Sequence, residues 1–498
     1  SGHQMYIYAN WANLTSGNGG ALYADNGCHF DIYGQVNFDR NRAANGGAIY
    51  LSNGSRVWLD DYANIKPQLW DNRADSGSGG AIYAANSPSV RCDGAILGKD
   101  NDGNQAAVDG GALYLSDSTL TAKNCIFRDN RAANHGGAIA AYNATLDVRA
   151  SYSVLAGMAA GEIEARDAPV TAAPLAPAAT ACNPKVELCS AFYNNVADSD
   201  VNDAGLGGGI YSNNSVLTVN HTKLYSNTAY AGGAILQTGT NAVGEVSNSL
   251  VYSNTVRLAL GAGIRTSGGA FTITHTTLAR NIGGSGFSGV ANAAYNTIAW
   301  GNSSPGFASV PLMASCNIDD GGNAGLNIDP RFVDAANWDF HLLGDSPAID
   351  ACPTGLTPDL DNVARPAIYA YDMGAFEYPY GMEFAPDRSG VGYPAQDVAY
   401  THTLTNIGGV VDTFTFAGLS SQGWGFTLPP TLTLGVGQAI TVTVTLHVPS
   451  GILSGTVDTL HITATSQTDP TLAAVVTDTT TIGFAPGLAF TPPHYVTV

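Results

Sequence analysis

A chain of 498 residues has room for roughly two to four domains, and with 45% hydrophobic and 12% charged residues it can bury a large core. Its 40 acidic residues against 20 basic ones give a formal charge of −20, which repels phosphate backbones and excludes nucleic acid as a partner. The 59 glycines follow no Gly-X-Y period, which excludes collagen and points to many tight turns.

Ser1-Gly2-His3 opens the chain without an initiator Met and runs at once into strand-like sequence, so it reads as a processed or partial chain whose export signal is gone. No stretch of about 18 apolar residues occurs, and no membrane span is expected. From Gly19 a repeat begins. Gly19-Gly20-Ala21-Leu22-Tyr23 returns as Gly46-Gly47-Ala48-Ile49-Tyr50, Gly79-Gly80-Ala81-Ile82-Tyr83 and Gly110-Gly111-Ala112-Leu113-Tyr114. Gly136-Gly137-Ala138-Ile139, Gly207-Gly208-Gly209-Ile210-Tyr211, Gly232-Gly233-Ala234-Ile235 and Gly261-Ala262-Gly263-Ile264 follow. Steps between first glycines are 27, 33, 31, 26, 71, 25 and 29, the step of 71 being a repeat with an insertion over 141–189.

A second marker, an aromatic or apolar residue closely followed by Asn, runs in phase with the first. It is carried by Phe38–Asn41, Trp70–Asn72, Phe127–Asn130, Tyr225–Asn227, Tyr252–Asn254, Leu278–Asn281 and Trp300–Asn302. Alternating segments such as Phe271-Thr-Ile-Thr lie between the markers and read as strands with one buried face. A unit of this length with three short strands fits one coil of a right-handed parallel β-helix over 1–328.

In that arrangement Leu22, Ile49, Ile82, Leu113, Ile139, Ile210, Ile235 and Ile264 stack as one inward column. Tyr23, Tyr50, Tyr83, Tyr114 and Tyr211 stack outside it, either as a packing ladder or as a sugar-binding surface, with packing favoured. The glycines supply a corner that needs positive φ or close approach. Asn41, Asn72, Asn130, Asn227, Asn254 and Asn281 form a second corner, in left-handed conformation and amide-bonded coil to coil. The Gly-Gly-Ala-Ile and Phe-x-x-Asn pattern resembles the repeats of polymorphic outer-membrane proteins and related bacterial surface β-helices. That resemblance implies the fold well and an activity poorly.

The chain has seven cysteines. Cys182 with Cys189 and Cys316 with Cys352 are candidate disulfides, while Cys28, Cys92 and Cys125 read as small buried apolar side chains. No Cys-x-x-Cys occurs, so a zinc site is not expected. The middle of the insertion is rich in Ala, Pro and Glu and reads as a surface loop, against the sharper reading of a projecting binding arm.

Asp329-Pro330-Arg331-Phe332, Phe340-His341-Leu342, Ser346-Pro347-Ala348-Ile349-Asp350, Asp359-Leu360-Asp361, Arg365-Pro366 and Asp372-Met373-Gly374-Ala375-Phe376 mark residues 329–380. Their order and type resemble the choice-of-anchor Q module, with Asn362 where that family has Gly. The resemblance implies secretion and a cap for the β-helix. Asp359, Asp361 and Asp372 offer oxygens for calcium, against a hydrogen-bonded turn closed by an Asp–Arg365 pair. No other cofactor is expected.

Residues 381–483 alternate Thr and Val in about seven strands, the pattern of an immunoglobulin-like β-sandwich. Residues 484–498 repeat the start of that domain and read as a strand that pairs with its own domain, is donated to a neighbour through Leu488, Phe490, Tyr495 and Val496, or belongs to a longer protein. The whole is an all-β chain, extracellular or on a cell surface. It is expected to be a structural or adhesive protein and not an enzyme: Asp71 and Asp129, each one residue before a repeat Asn, are the best glycosidase carboxylates, and their positions follow from the repeat itself. Self-association into filaments and glycan binding are the expected partnerships, with a carbohydrate-active β-helix enzyme as the alternative.

Overall fold

The computed structural model describes residues 5–484 except 14, 63–64, 151–188, 201–203, 259, 290–292 and 310. The chain divides into two compact units, one of residues up to 342 with 346–377, the other of 343–345 with the rest. Among the described residues the regular structure is β-strand with one short 3-10 turn, and no α-helix occurs.

The first unit is a parallel β-solenoid. Its strands line up in four sheets of 11, 7, 9 and 10 strands, one more per turn than the sequence suggests. A turn runs from a strand such as Val36–Asp39 to a two-residue strand such as Arg42–Ala43, then to Ile49–Ser52 and Arg56–Asp60. The two-residue strand escapes sequence reading because no alternation fits in two residues. In the third sheet Leu22, Ile49, Ile82, Leu113, Ile139, Ile210, Ile235 and Ile264 are direct register partners, and Phe287 continues them. All but Leu22 are buried, so one turn's apolar side chain covers the next.

The two glycines of each doublet solve different problems. The first takes positive φ, as at Gly110 (φ 67°), where an L side chain is strained. The second is extended over the neighbouring turn. A methyl on Gly111 would overlap the carbonyl oxygen of Gly137 and the backbone of Arg131. Gly111→Ala is therefore expected to destabilise by about 3 kcal/mol. Gly54→Ala, at φ 75° with open space around it, should cost only about 1 kcal/mol. Paired denaturant melts check this ordering, and equal losses would refute the close-approach account.

Cysteine usage differs from expectation. Cys92 and Cys125 are buried, as read, but form a disulfide across 33 residues instead of remaining thiols. They occupy successive turns whose side chains meet in the interior, a proximity visible only once the turns are stacked. Cys316 is bonded to Cys352, and Cys28 is an exposed free thiol rather than a buried one. Cys189 is disulfide-bonded, while its expected partner Cys182 lies outside the described residues.

The second unit holds two sheets. One contains Met382–Ala385, Asp397–Asn406, Ala439–His447 and Gly425–Thr427; the other contains Arg388–Gly392, Ala473–Ile482, Val457–Ser466, Asp412–Ser420 and Leu432–Leu434. Pairing is antiparallel except between Arg388–Gly392 and Ala473–Ile482. Alternate residues point inward, and Leu404, Val442 and Val444 from one sheet share a core with Phe414, Leu460 and Ile462 from the other. The Asn406 amide donates to the carbonyls of Val410 and Leu434 and its oxygen accepts from Gly408, bracing the turn that follows it.

Candidate functional site

The repeat asparagines of the solenoid form a ladder. Asn10, Asn41, Asn72, Asn104, Asn130, Asn195, Asn227, Asn254, Asn281 and Asn302 follow one another turn by turn, each Nδ2 donating to the next Oδ1 at 2.8–3.0 Å. The same Oδ1 accepts the preceding rung's backbone N–H, as from Asn130 to Asn195 at 3.1 Å. From Asn41 onward each Nδ2 also reaches back to a carbonyl, as from Asn130 to Leu97 at 2.9 Å. The left-handed residue is not the Asn, as the sequence suggests, but the one before it: Arg40, Asp71, Asp129, Asn194, Ser226, Ser253 and Arg280 have φ of 51–57°. The Asn thereby stays extended and turns its amide inward.

Sequence spacing missed Asn104 because residues 98–103 lengthen that corner, although Asn195 was legible in Phe192-Tyr193-Asn194-Asn195. The aromatic marker also merged two columns. Phe38, Leu69, Phe127, Phe192 and Leu224 are inward partners, whereas Trp70, Tyr193, Tyr225 and Tyr252 stand one residue later and face outward.

Outward aromatics pack on each other. Tyr23, Tyr50, Tyr83 and Tyr114 stack with centroids 5.2, 5.0 and 4.8 Å apart. Ala140 breaks the column in register, and Tyr142 leans in from two residues on to meet both Tyr114 and Tyr211. A second stack joins Tyr193, Tyr225 and Tyr252. Ring faces inside these stacks are taken, so they present edges and hydroxyls to solvent. Burial pushes the Tyr114 phenol up to about 12, which keeps it a protonated donor.

The chemically densest region is where residues 346–377 lie along the last turns. A column of left-handed residues, His221, Asn248, His275, Asn296 and Cys316, forms the corner they cover. His221 Nε2 meets the Pro358 carbonyl at 3.2 Å, Arg365 Nη1 donates to Asn248 Oδ1 at 3.0 Å, and Asn296 Nδ2 donates to the Thr354 carbonyl at 2.7 Å. Gly374 N donates to the Asn296 carbonyl at 2.7 Å, and the Cys316–Cys352 disulfide closes the end. This column was not found from the sequence. Its signal is a His, Asn or Cys followed by Thr, Ser or Asn at 221, 248, 275, 296 and 316, in step with the repeat.

Arg365 anchors the strap. Its guanidinium is fully buried, pairs with Glu377 at 3.2 Å and donates to the Gly374 carbonyl at 2.9 Å. The expected partner was an Asp; the ion pair falls to Glu377 because Asp359 is committed elsewhere. Asp359 accepts from the backbone of Asp361, Val363 and Glu377, and burial raises its carboxyl to about 7 against the pull of Arg365. Asp372 accepts from Asp350 N, and Asp361 bonds His341. Among the described residues no three His, Cys, Asp or Glu side chains converge as a metal site.

His341 stands between two carboxylates, Asp339 at 2.6 Å and Asp361 at 2.8 Å, with its ring on Phe376. Burial alone would lower the imidazole, yet these two partners carry it up to about 9 from 6.5. The stabilising contribution of His341 is therefore complete below about pH 6.5 and lost as pH rises through about 9. Urea midpoints of His341→Gln and the parent chain should differ most at pH 6 and converge by about pH 10. A constant gap would contradict the account.

Asp71 and Asp129 sit at equivalent left-handed corners two turns apart, with the Asn104 rung between them. Burial raises both carboxyls. Leu488, Phe490, Tyr495 and Val496 lie outside the described residues, as does most of the 141–189 insertion.

Residues 35–52 and 124–142 match the Chlamydia polymorphic membrane protein repeat. Each stretch holds one ladder Asn, Asn41 or Asn130, and one glycine doublet, so the matched repeat is the solenoid turn itself. The polymorphic membrane protein repeat points to a surface-exposed bacterial protein associated with the outer membrane. No curated protein matches the chain. Solved structures with similarity include the secreted serine protease VesC from Vibrio cholerae, at 15% identity and TM-score 0.17, over 20% of this chain and 23% of that one. A FixG-related protein from Vibrio parahaemolyticus gives 14% identity and TM-score 0.18 over 22% of this chain and 99% of its own. The PapD-like domain 7 of human CEP192 gives 14% and 0.17 over 21% and 86%.

Proposed function

We propose that this chain is a non-catalytic, adhesive protein of the bacterial surface. In this reading a right-handed β-helix is the body, residues 329–377 close it as a choice-of-anchor Q-like module, and an immunoglobulin-like sandwich follows. One observation carries it: the groups that recur along the solenoid are consumed in bonds between its own turns. Ladder amides bond to amides, tyrosine faces to tyrosine faces, and the buried acids near Arg365 to the strap. A catalytic acid pair would instead stand free beside a cleft. Right-handedness is the rule for crossovers between parallel strands. The Cys92–Cys125 and Cys316–Cys352 bonds suit an oxidising compartment.

The test is display and retention. Behind an export signal in a bacterium, the chain should be reached by antibody on intact cells, and beads coated with it should be held on cell surfaces. Incubation with neutral and acidic glycans should release no reducing ends. Release that disappears in Asp71→Asn or Asp129→Asn would overturn the reading in favour of an enzyme.

A further inference from the structure

The outer corner beside the two-residue strands carries arginines, most of them matched by an acid. Arg42 holds Asp75 through two bonds of 2.9 and 2.5 Å, Arg73 shares Asp75 at 3.0 Å, and Arg257 pairs with Asp198. In register, Arg73, Gln105, Arg131 and Val196 are partners on successive turns. The next corner position, whose N–H donates to an alanine carbonyl of the preceding turn, is held by Asp75, Ala107, Ala133 and Ser199, with Asp198 turned aside into a buried left-handed site. On the two middle turns, then, the acid position is filled by alanine while Gln105 and Arg131 remain exposed. The space left is a groove of about 300 Å³ lined by Arg73, Gln105, Arg131, Ser199 and the alanines.

We infer that this groove binds a carboxylated glycan, with Arg131 taking from it the carboxylate that Asp75 supplies to Arg42 and Arg73 at the same corner. The inference rests on the adhesive reading above and names its ligand class. A guanidinium fork takes a carboxylate through two parallel bonds, and the neighbouring Gln105 amide offers donors and an acceptor to sugar hydroxyls. Turns repeat at about 4.8 Å, so Arg73 and Arg131 stand about 10 Å apart along the axis, which suits a linear chain laid across several turns better than a small acid. Alanine floors admit a ring where a longer side chain would fill the space. The net charge of −20 keeps polyanions off the rest of the surface, so binding here demands the groove and not bulk attraction.

The experiment is titration calorimetry of the full chain with tetragalacturonate, its methyl ester, and a sulfated disaccharide. The acid should bind, the uncharged ester about tenfold or more weaker. Arg131→Ala and the groove-filling Ala107→Trp should each lose about tenfold or more, with circular dichroism and melting unchanged. Arg131→Lys should recover only part, because an ammonium lacks the fork. Equal binding of acid and ester, binding untouched by both variants, preference for the sulfate, or no uronate binding would each overturn the groove. Bead retention by the same proteins separates the two proposals. Retention by wild type and Arg131→Ala alike leaves the adhesive reading standing without this groove, whereas uronate binding without retention refutes the adhesive reading alone.

Discussion

Asn130→Leu should remove about 4 kcal/mol of stability, far more than a substitution that merely trims a surface contact. Asn130 is fully buried and stands in mid-ladder. Leucine would orphan the Asn104 backbone N–H and side-chain amide, which now donate to Asn130 Oδ1 at 3.0 and 2.9 Å. It would also strip the Leu97 carbonyl of its donor at 2.9 Å. Each buried polar group left unmatched costs about 1–3 kcal/mol, and the leucine recovers part through its apolar surface. Asn302, half-buried and with no rung bonded beyond it among the described contacts, should lose only about 1–2 kcal/mol in the same exchange. Guanidinium melts of the two variants check the gradient; equal losses would mean the amides do not act as a ladder.

Arg365→Ala should cost about 3–5 kcal/mol and release the strap. The guanidinium compensates Glu377 directly and Asp359 through space, and both acids are buried. Without it they remain as uncompensated charges, or take up protons at a cost that grows with pH. The gap from the parent chain should therefore narrow as pH falls toward about 7, because without Arg365 the buried Asp359 takes up its proton at higher pH than it does beside the guanidinium. Limited proteolysis should cut within 346–377 while the solenoid core persists. Adding Glu377→Gln should return part of the loss, since the orphaned charge goes with it. A strap that stays protected from protease in Arg365→Ala would place its anchor elsewhere, in the Cys316–Cys352 bond.

Much of this was legible because a repeat reports the same physics several times over. A single Gly-Gly says little, but a doublet returning in phase with an Asn implies turns that stack. The inward aliphatic column followed directly, from Ile49 through Ile264. What the repeat blurred was anything shifted by one residue, since adjacent strand residues face opposite sides. Phe38 and Trp70 looked equivalent in sequence, yet one is core and the other lies under the Lys99 ammonium, 4.0 Å from its ring centre. The left-handed corner was likewise assigned one residue late.

The amino-acid sequence by itself determined the stacked parallel solenoid and the alternating strands of the second unit, because periodic burial and backbone permissiveness are local properties written residue by residue. Tertiary structure alone decided which side chains meet across turns: the Cys92–Cys125 bond, the choice of Glu377 over an Asp for Arg365, and the His341 bridge between Asp339 and Asp361. Those pairings depend on distances between residues far apart in the chain, and they are set when one turn comes to rest on another.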